Sequence, residues 1–161
     1  MPLIKENKMK KIILMTMLMG AVFAQSDCNE ENWEDYYNSE GNDMTDCDLA
    51  GAGFYNANLE RALLIGADLE GASLWRPNLG GANLVGANLK GAFFDGGYLA
   101  GADLRNANLE GADLRGVKLQ YADLRGANLE GVRSSRIEGS IYLLPKGWSL
   151  VDGRLIKKDG E

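Results

Sequence analysis

The chain has 161 residues, of which 45% are hydrophobic and 25% charged, with a formal net charge of −6 and no histidine. The missing histidine removes the side chain that most often acts as a general base near neutral pH. The acidic balance disfavours nucleic-acid binding through a basic patch.

Residues 1–24 differ from the rest. Lys5, Lys8, Lys10 and Lys11 precede an apolar run from Ile12 to Ala24, and Val22 and Ala24 stand at −3 and −1 of a cleavage site before Gln25. A basic start, a short apolar stretch and small residues at the cut describe a secretory signal peptide. The expected location is therefore exported, periplasmic or secreted. An apolar run of about a dozen residues is short for a membrane span, so no stable membrane insertion is expected after cleavage. An uncleaved anchor is the alternative. Ser26 and Asp27 before Cys28 do not form a lipidation site. Beyond residue 24, 13 Lys and Arg face 22 Asp and Glu, a net charge of −9.

Residues 25–46 form an acidic, aromatic segment in which Trp33, Tyr36 and Tyr37 recur at roughly helical spacing. A short helix over Glu30–Asn38 is expected to lay Trp33 and Tyr37 over the open end of the repeat region that follows, since such ends need covers. Calcium is the alternative for the clustered acids, but no twelve-residue ligand spacing appears. The two cysteines, Cys28 and Cys47, both follow the cleavage site. In an oxidising compartment such a pair commonly bridges. A Cys28–Cys47 disulfide would tie the leading segment over the repeats; two separate buried thiols are the other reading. Two Cys without His disfavour a metal site.

From residue 47 to 131 one pattern recurs in seventeen blocks of five: Ala, Asp or Asn, Leu, any residue, Gly. The segments 102–106, 112–116 and 122–126 show it plainly. Taking the central residue as i, every centre from Leu49 to Leu129 is Leu except Phe54 and Phe94, and i−2 is Ala in thirteen blocks. A period this strict dictates the architecture before any local propensity. In extended backbone, residues two apart share a side, so i−2 and i face inward while i−1 and i+1 face outward. Five is odd, so the chain must turn once per block, and Gly at i+2 permits the turn. Four right-angled turns close a square coil of twenty residues, and stacked coils pair as parallel strands about 4.8 Å apart.

These blocks resemble the pentapeptide-repeat family, whose motif is written A(D/N)LXX. The resemblance covers 47–131 and implies an all-β fold, a right-handed quadrilateral parallel β-helix of about four coils. Pro77, Gly97, Cys47 and Val117 replace the i−2 Ala. Pro77 has no N–H and is expected where a ladder bond is missing. The stretch 93–98 places Phe93 and Tyr98 outward, and local distortion without a break is expected there.

In residues 132–161 the period dissolves at Ser134. Residues 141–156 resemble the LPxGW…xGxL segment of some bacterial pentapeptide-repeat proteins. Trp148 and Leu150, then Leu155, with Asp152-Gly153 between, read as a short hairpin that caps the stack.

An enzyme is not expected. No phosphate loop or nucleophile elbow occurs, and the Asp residues at i−1 (Asp68, Asp103, Asp113, Asp123) belong to the repeat. No cofactor is implied. The outer wall is more telling. Tyr55 and Trp75, twenty residues apart at i+1, are expected to stack on one face with their rings in reach, with Phe93 just beyond. Leu63, Ile65 and Val85 are read as pointing outward on the neighbouring face. Such a patch marks an interaction site or the footprint of a cap. Arg105 and Arg125 beside Asp103 and Asp123 read as a solvated salt-linked surface. The reading is an exported, non-catalytic scaffold, structural or protein-binding, with an unnamed protein partner. Some family members mimic DNA and protect type II topoisomerases. That alternative is opposed here by the signal peptide, the short rod and the lack of a C-terminal dimer helix.

Overall fold

The computed structural model describes residues 28–34, 42–141 and 143–158. The expected signal peptide, its cleavage site, Tyr36 and Tyr37 lie outside the described residues. Parallel bridges join residues twenty apart in an unbroken series from Asp43 with Leu63 to Asp123 with Leu143. The repeat thus closes one coil every four blocks.

A single block accounts for all five backbone donors. In the block centred on Leu89, the Ala87 N–H closes the corner on the Leu84 carbonyl at 3.1 Å, and the Asn88 N–H donates to Ala67 one coil back at 2.9 Å. Leu89 and Gly91 donate to Asn108 and Glu110 one coil on, at 2.7 and 2.8 Å. The fifth donor, Lys90 N–H, finds Oδ1 of Asn88 at 3.3 Å. Asp or Asn at i−1 is therefore a backbone partner: its outward side chain closes the donor that neither corner nor ladder uses.

The corners explain i+2. Each such position from Gly51 to Gly131 has φ between 49° and 73°, including Asn56, Arg61, Arg76, Asn106 and Tyr121. Glycine takes this backbone freely, whereas the five larger residues hold it at a cost on the order of 1–3 kcal/mol each. Three of these five side chains lean over a glycine one coil on, Arg61 over Gly81, Arg76 over Gly96 and Asn106 over Gly126, and Asp46, which has the same backbone just before the repeats, leans over Gly66.

Every centre from Leu49 to Leu129, Phe54 and Phe94 included, is buried in one continuous core, with the i−2 alanines lining its corners. Burying each such side chain contributes about 1.5–3 kcal/mol. Pro77 keeps its ladder: its carbonyl accepts the Tyr98 N–H at 2.9 Å. The bond it lacks is the corner bond that Ala82, one block later, makes to Leu79 at 3.0 Å. The 93–98 stretch also stays in the ladder, through Ser73 with Phe93 and Asn78 with Tyr98.

Both ends extend past the recognisable pattern. Met44 is fully buried in the place of a central Leu, and Asp46 takes the corner backbone. At the other end Ser134 and Gly139 replace the Leu, yet Arg133 and Glu138 remain bridged to Asp113 and Lys118. Cys28 and Cys47 are joined by a disulfide with Cα atoms 5.0 Å apart. The Cys28 carbonyl accepts the Asp48 N–H at 3.0 Å, so the leading segment adds a short rung to the stack. Helical backbone follows at Trp33 and Glu34. The Trp33 ring lies 4.6 Å from that of Phe54, over the end of the core.

The far end is closed by an antiparallel hairpin, β1 (Trp148–Val151) and β2 (Arg154–Lys157). Asp152 and Gly153 both have positive φ, the mirror-image turn that suits twisted strands. The Gly153 carbonyl accepts the Ile137 N–H at 3.0 Å, and Leu155 N–H donates to Ser134 Oγ at 3.0 Å. Leu155 is buried, with Trp148 and Leu150 packed against the core.

A candidate interaction face on the outer wall

Numbered in chain order, the first side of the square carries the Leu49 column, the second Phe54, the third Leu59 and the fourth Leu64. The outward positions of the first side are polar apart from Ala50. Asn88, Asn108 and Asn128 each donate an amide to the residue one coil back, at 3.0, 3.3 and 3.0 Å, starting on Asp68. Beside this ladder Lys90 pairs with Glu110 at 3.1 Å.

The second and fourth sides are divided along their length. Toward the C-terminal end they carry Asp–Arg pairs two residues apart. Arg115 donates to both carboxylate oxygens of Asp113, at 2.8 and 2.6 Å. Arg105 and Arg125 do the same to Asp103 and Asp123. These hydrogen bonds hold the three carboxyls below the ordinary Asp value, and burial only partly opposes them. Asp113 is 3% exposed and has Arg133 as a second cation at 3.9 Å.

The other half of the second side is aromatic. Tyr55, Trp75 and Phe93 are 66%, 41% and 50% exposed. Tyr55 lies over Gly53, where an added Cβ would come within 2.9 Å of its ring. Trp75 carries the Arg76 guanidinium 4.6 Å from its ring centre, a cation–π contact. Gly53, Ser73 and Phe93 stand here where Asp or Asn usually does. Among the described residues, the N–H groups of Tyr55, Trp75 and Asp95 consequently meet no acceptor. The carbonyls of Ser73, Trp75, Phe93 and Asp95 each accept a ladder bond.

Leu63, Ile65 and Val85 lie on the fourth side. That side is opposite the second and not its neighbour, because ten residues separate Tyr55 from Ile65 and ten residues are two sides. The six residues read as one patch therefore fall into two. Ile65 is exposed, while Leu63 and Val85 are half-buried. Tyr98, over Gly80 on the third side, and Tyr121, at a corner, are further exposed rings that the patch reading passed over. The signal for Tyr98 was present: it is a large ring at i−1. Cys28 and Cys47 are both fully buried and belong to the cap, not to the wall.

A family model described as "Pentapeptide repeats" matches residues 43–74, 67–106 and 98–131 in eight copies, more than half of the chain. No curated protein matches. Among solved structures, a pentapeptide repeat protein from the Arabidopsis thaliana thylakoid lumen is 25% identical, with a TM-score of 0.58 over 60% of this chain and 67% of that one. A pentapeptide repeat protein, Rfr23, from the cyanobacterium Cyanothece 51142 is 36% identical over 65% of this chain and 64% of its own, with a TM-score of 0.46. QnrB1, a plasmid-mediated fluoroquinolone resistance protein, is 22% identical over 60% of this chain and 62% of its own, with a TM-score of 0.38.

Proposed function

Because the chain belongs to the pentapeptide repeat family, we propose that it is an exported, non-catalytic scaffold that binds another protein through the aromatic half of its second side. In this reading 1–24 is a signal peptide, 25–46 and 132–161 are caps, and 47–131 is a right-handed quadrilateral helix of about four coils. The observation that carries it is the exposure of Tyr55, Trp75 and Phe93 together on one half of the second side. Exposed apolar patches of this kind mark interaction sites. Export is supported by the disulfide between Cys28 and Cys47, a bond that persists in oxidising compartments. One similar protein comes from a thylakoid lumen.

The test is capture from envelope and secreted fractions with the wild-type protein, Trp75→Glu and Ile65→Glu, compared by quantitative mass spectrometry. A partner held by wild type and Ile65→Glu but released by Trp75→Glu is expected. Equal capture by all three would remove the second side from consideration.

A DNA-mimicking role is not adopted. Asp103, Asp113 and Asp123, which would supply the columns of negative charge, are each neutralised by an arginine two residues on. The expected outcome of a gyrase supercoiling assay with added protein is no inhibition.

A further inference from the structure

The hairpin that closes the far end of the stack turns on Asp152-Gly153, and its seating asks for glycine at the second position. The Gly153 carbonyl accepts the Ile137 N–H at 3.0 Å. A Cβ on Gly153 would stand 3.2 Å from the Ile137 nitrogen and 3.3 Å from the Arg136 Cα, on a backbone with φ of 72°. Asp152 before it is exposed, and among the described residues its carboxyl makes no hydrogen bond or ion pair. The Gly153 N–H likewise meets no acceptor among them. A carboxyl thus sits one residue before an idle amide nitrogen, with no side chain on the glycine to hinder their approach. We infer that Asp152 is a site of spontaneous isoaspartate formation, and that its conversion unseats the cap.

The Gly153 nitrogen, giving up its proton, attacks Cγ of Asp152; one carboxyl oxygen leaves as water and a five-membered succinimide closes. Water then adds back. Cleavage at Cγ restores aspartate, and cleavage at the main-chain carbonyl leaves the chain running through the side chain. One water leaves and one returns, so mass is unchanged and no oxidant or cofactor is needed. Asp95-Gly96 is a control within the same chain. Asp95 is exposed too, and its glycine also has a positive φ, 70°. The Gly96 N–H, however, donates to the Arg115 carbonyl at 3.1 Å and must leave the ladder before its nitrogen can react. Asp68, Asp103, Asp113 and Asp123 precede leucines, whose side chains crowd the nitrogen and whose N–H groups are all ladder donors. Isoaspartate adds one backbone atom, Cβ, to the turn. Turn length sets hairpin register, so the bonds to Ile137 and to Ser134 Oγ lose alignment, and Trp148, Leu150 and Leu155 lose their packing on the core.

The experiment holds folded protein in warm, mildly acidic buffer below its melting temperature, beside a denatured sample, and cleaves both after Lys and Arg. The Asp-Gly pairs then fall in separate peptides, 91–105, 147–154 and 159–161. The last of them, Asp159-Gly160, lies outside the described residues. Isoaspartyl peptides separate chromatographically at unchanged mass. In folded protein, isoaspartate at 152 should build up at least about fivefold faster than at 95, the factor for opening one net hydrogen bond. In denaturant the two rates should converge. Trp148 emission, read in Trp33→Phe, Trp75→Phe protein, should become more quenchable in step with conversion at 152. Asp152→Gly in the same background keeps the turn without the carboxyl and should show no such change. The inference is overturned by equal rates at 152 and 95 in folded protein, or by conversion at 152 only after denaturation. It is equally overturned by a Trp148 signal that ignores conversion, or that changes as much in Asp152→Gly.

Discussion

Leu89 is fully buried, and Lys90, one residue on, reaches Glu110 across the outer wall at 3.1 Å. Leu89→Lys would put an unpaired charge into the lumen and should cost more than about 4 kcal/mol. Lys90→Glu removes one exposed ion pair and should cost less than about 1 kcal/mol. Thermal denaturation of the two variants checks the register, and equal melting temperatures would refute it. The corners allow a finer comparison. Gly66 and Gly71 share a positive φ, but a Cβ on Gly66 would collide with Asp46 Oδ1 while one on Gly71 meets nothing. Gly66→Ala should therefore destabilise more than Gly71→Ala, and Asp46→Gly should narrow the difference. Asp113 supplies a pH test. Its carboxyl is held below its ordinary value of 3.8 by the Arg115 hydrogen bonds. A depressed folded value means the stabilisation is complete above the unfolded value and is lost as pH falls through the folded one. Melting temperature should fall on acidification below about pH 4, and Asp113→Asn should flatten that limb.

The repeats were legible as an element because inward Leu, corner Gly and i−1 Asp or Asn each answer a requirement inside a single block. The ends were less legible, because the coil tolerates Met44, Ser134 and Gly139 at centres where the pattern asks for Leu. What holds those coils is the ladder to a neighbour, which no local pattern displays. The hairpin was readable from Asp152-Gly153, but its seating on Ile137 and Ser134 depends on tertiary contacts. On the wall, the residues Gly53, Ser73 and Phe93 could be seen to break the i−1 rule, whereas the tilt of Tyr55 onto Gly53 is a rotamer choice outside any pattern. The leading cap makes its own prediction. Reducing the Cys28–Cys47 bond should cost about 2–4 kcal/mol and free Trp33 from Phe54, seen as a red-shifted, more quenchable Trp33 emission in Trp75→Phe, Trp148→Phe protein. An unchanged Trp33 spectrum after complete reduction would show that the bond does not hold the cap.

At the scale of the whole molecule, exported material should begin at Gln25 and weigh two hydrogens less than the dithiol form. Intact mass checks both at once, and a full-length chain with two thiols would contradict export. The ladder of bridges twenty residues apart, built from blocks of five, has a further consequence. Inside and outside keep different clocks. The lumen asks only that a residue's place be counted in fives, while the wall asks that it be counted in twenties. Losing one whole block between Tyr55 and Trp75 would leave every later Leu in the lumen, yet swing Trp75 back by a quarter turn, off the side that Tyr55 occupies. Each later outward residue would swing with it. Gain or loss of single blocks can therefore redraw the entire exterior of such a rod while its interior stays chemically the same, and only changes of four blocks at a time preserve the picture on each wall.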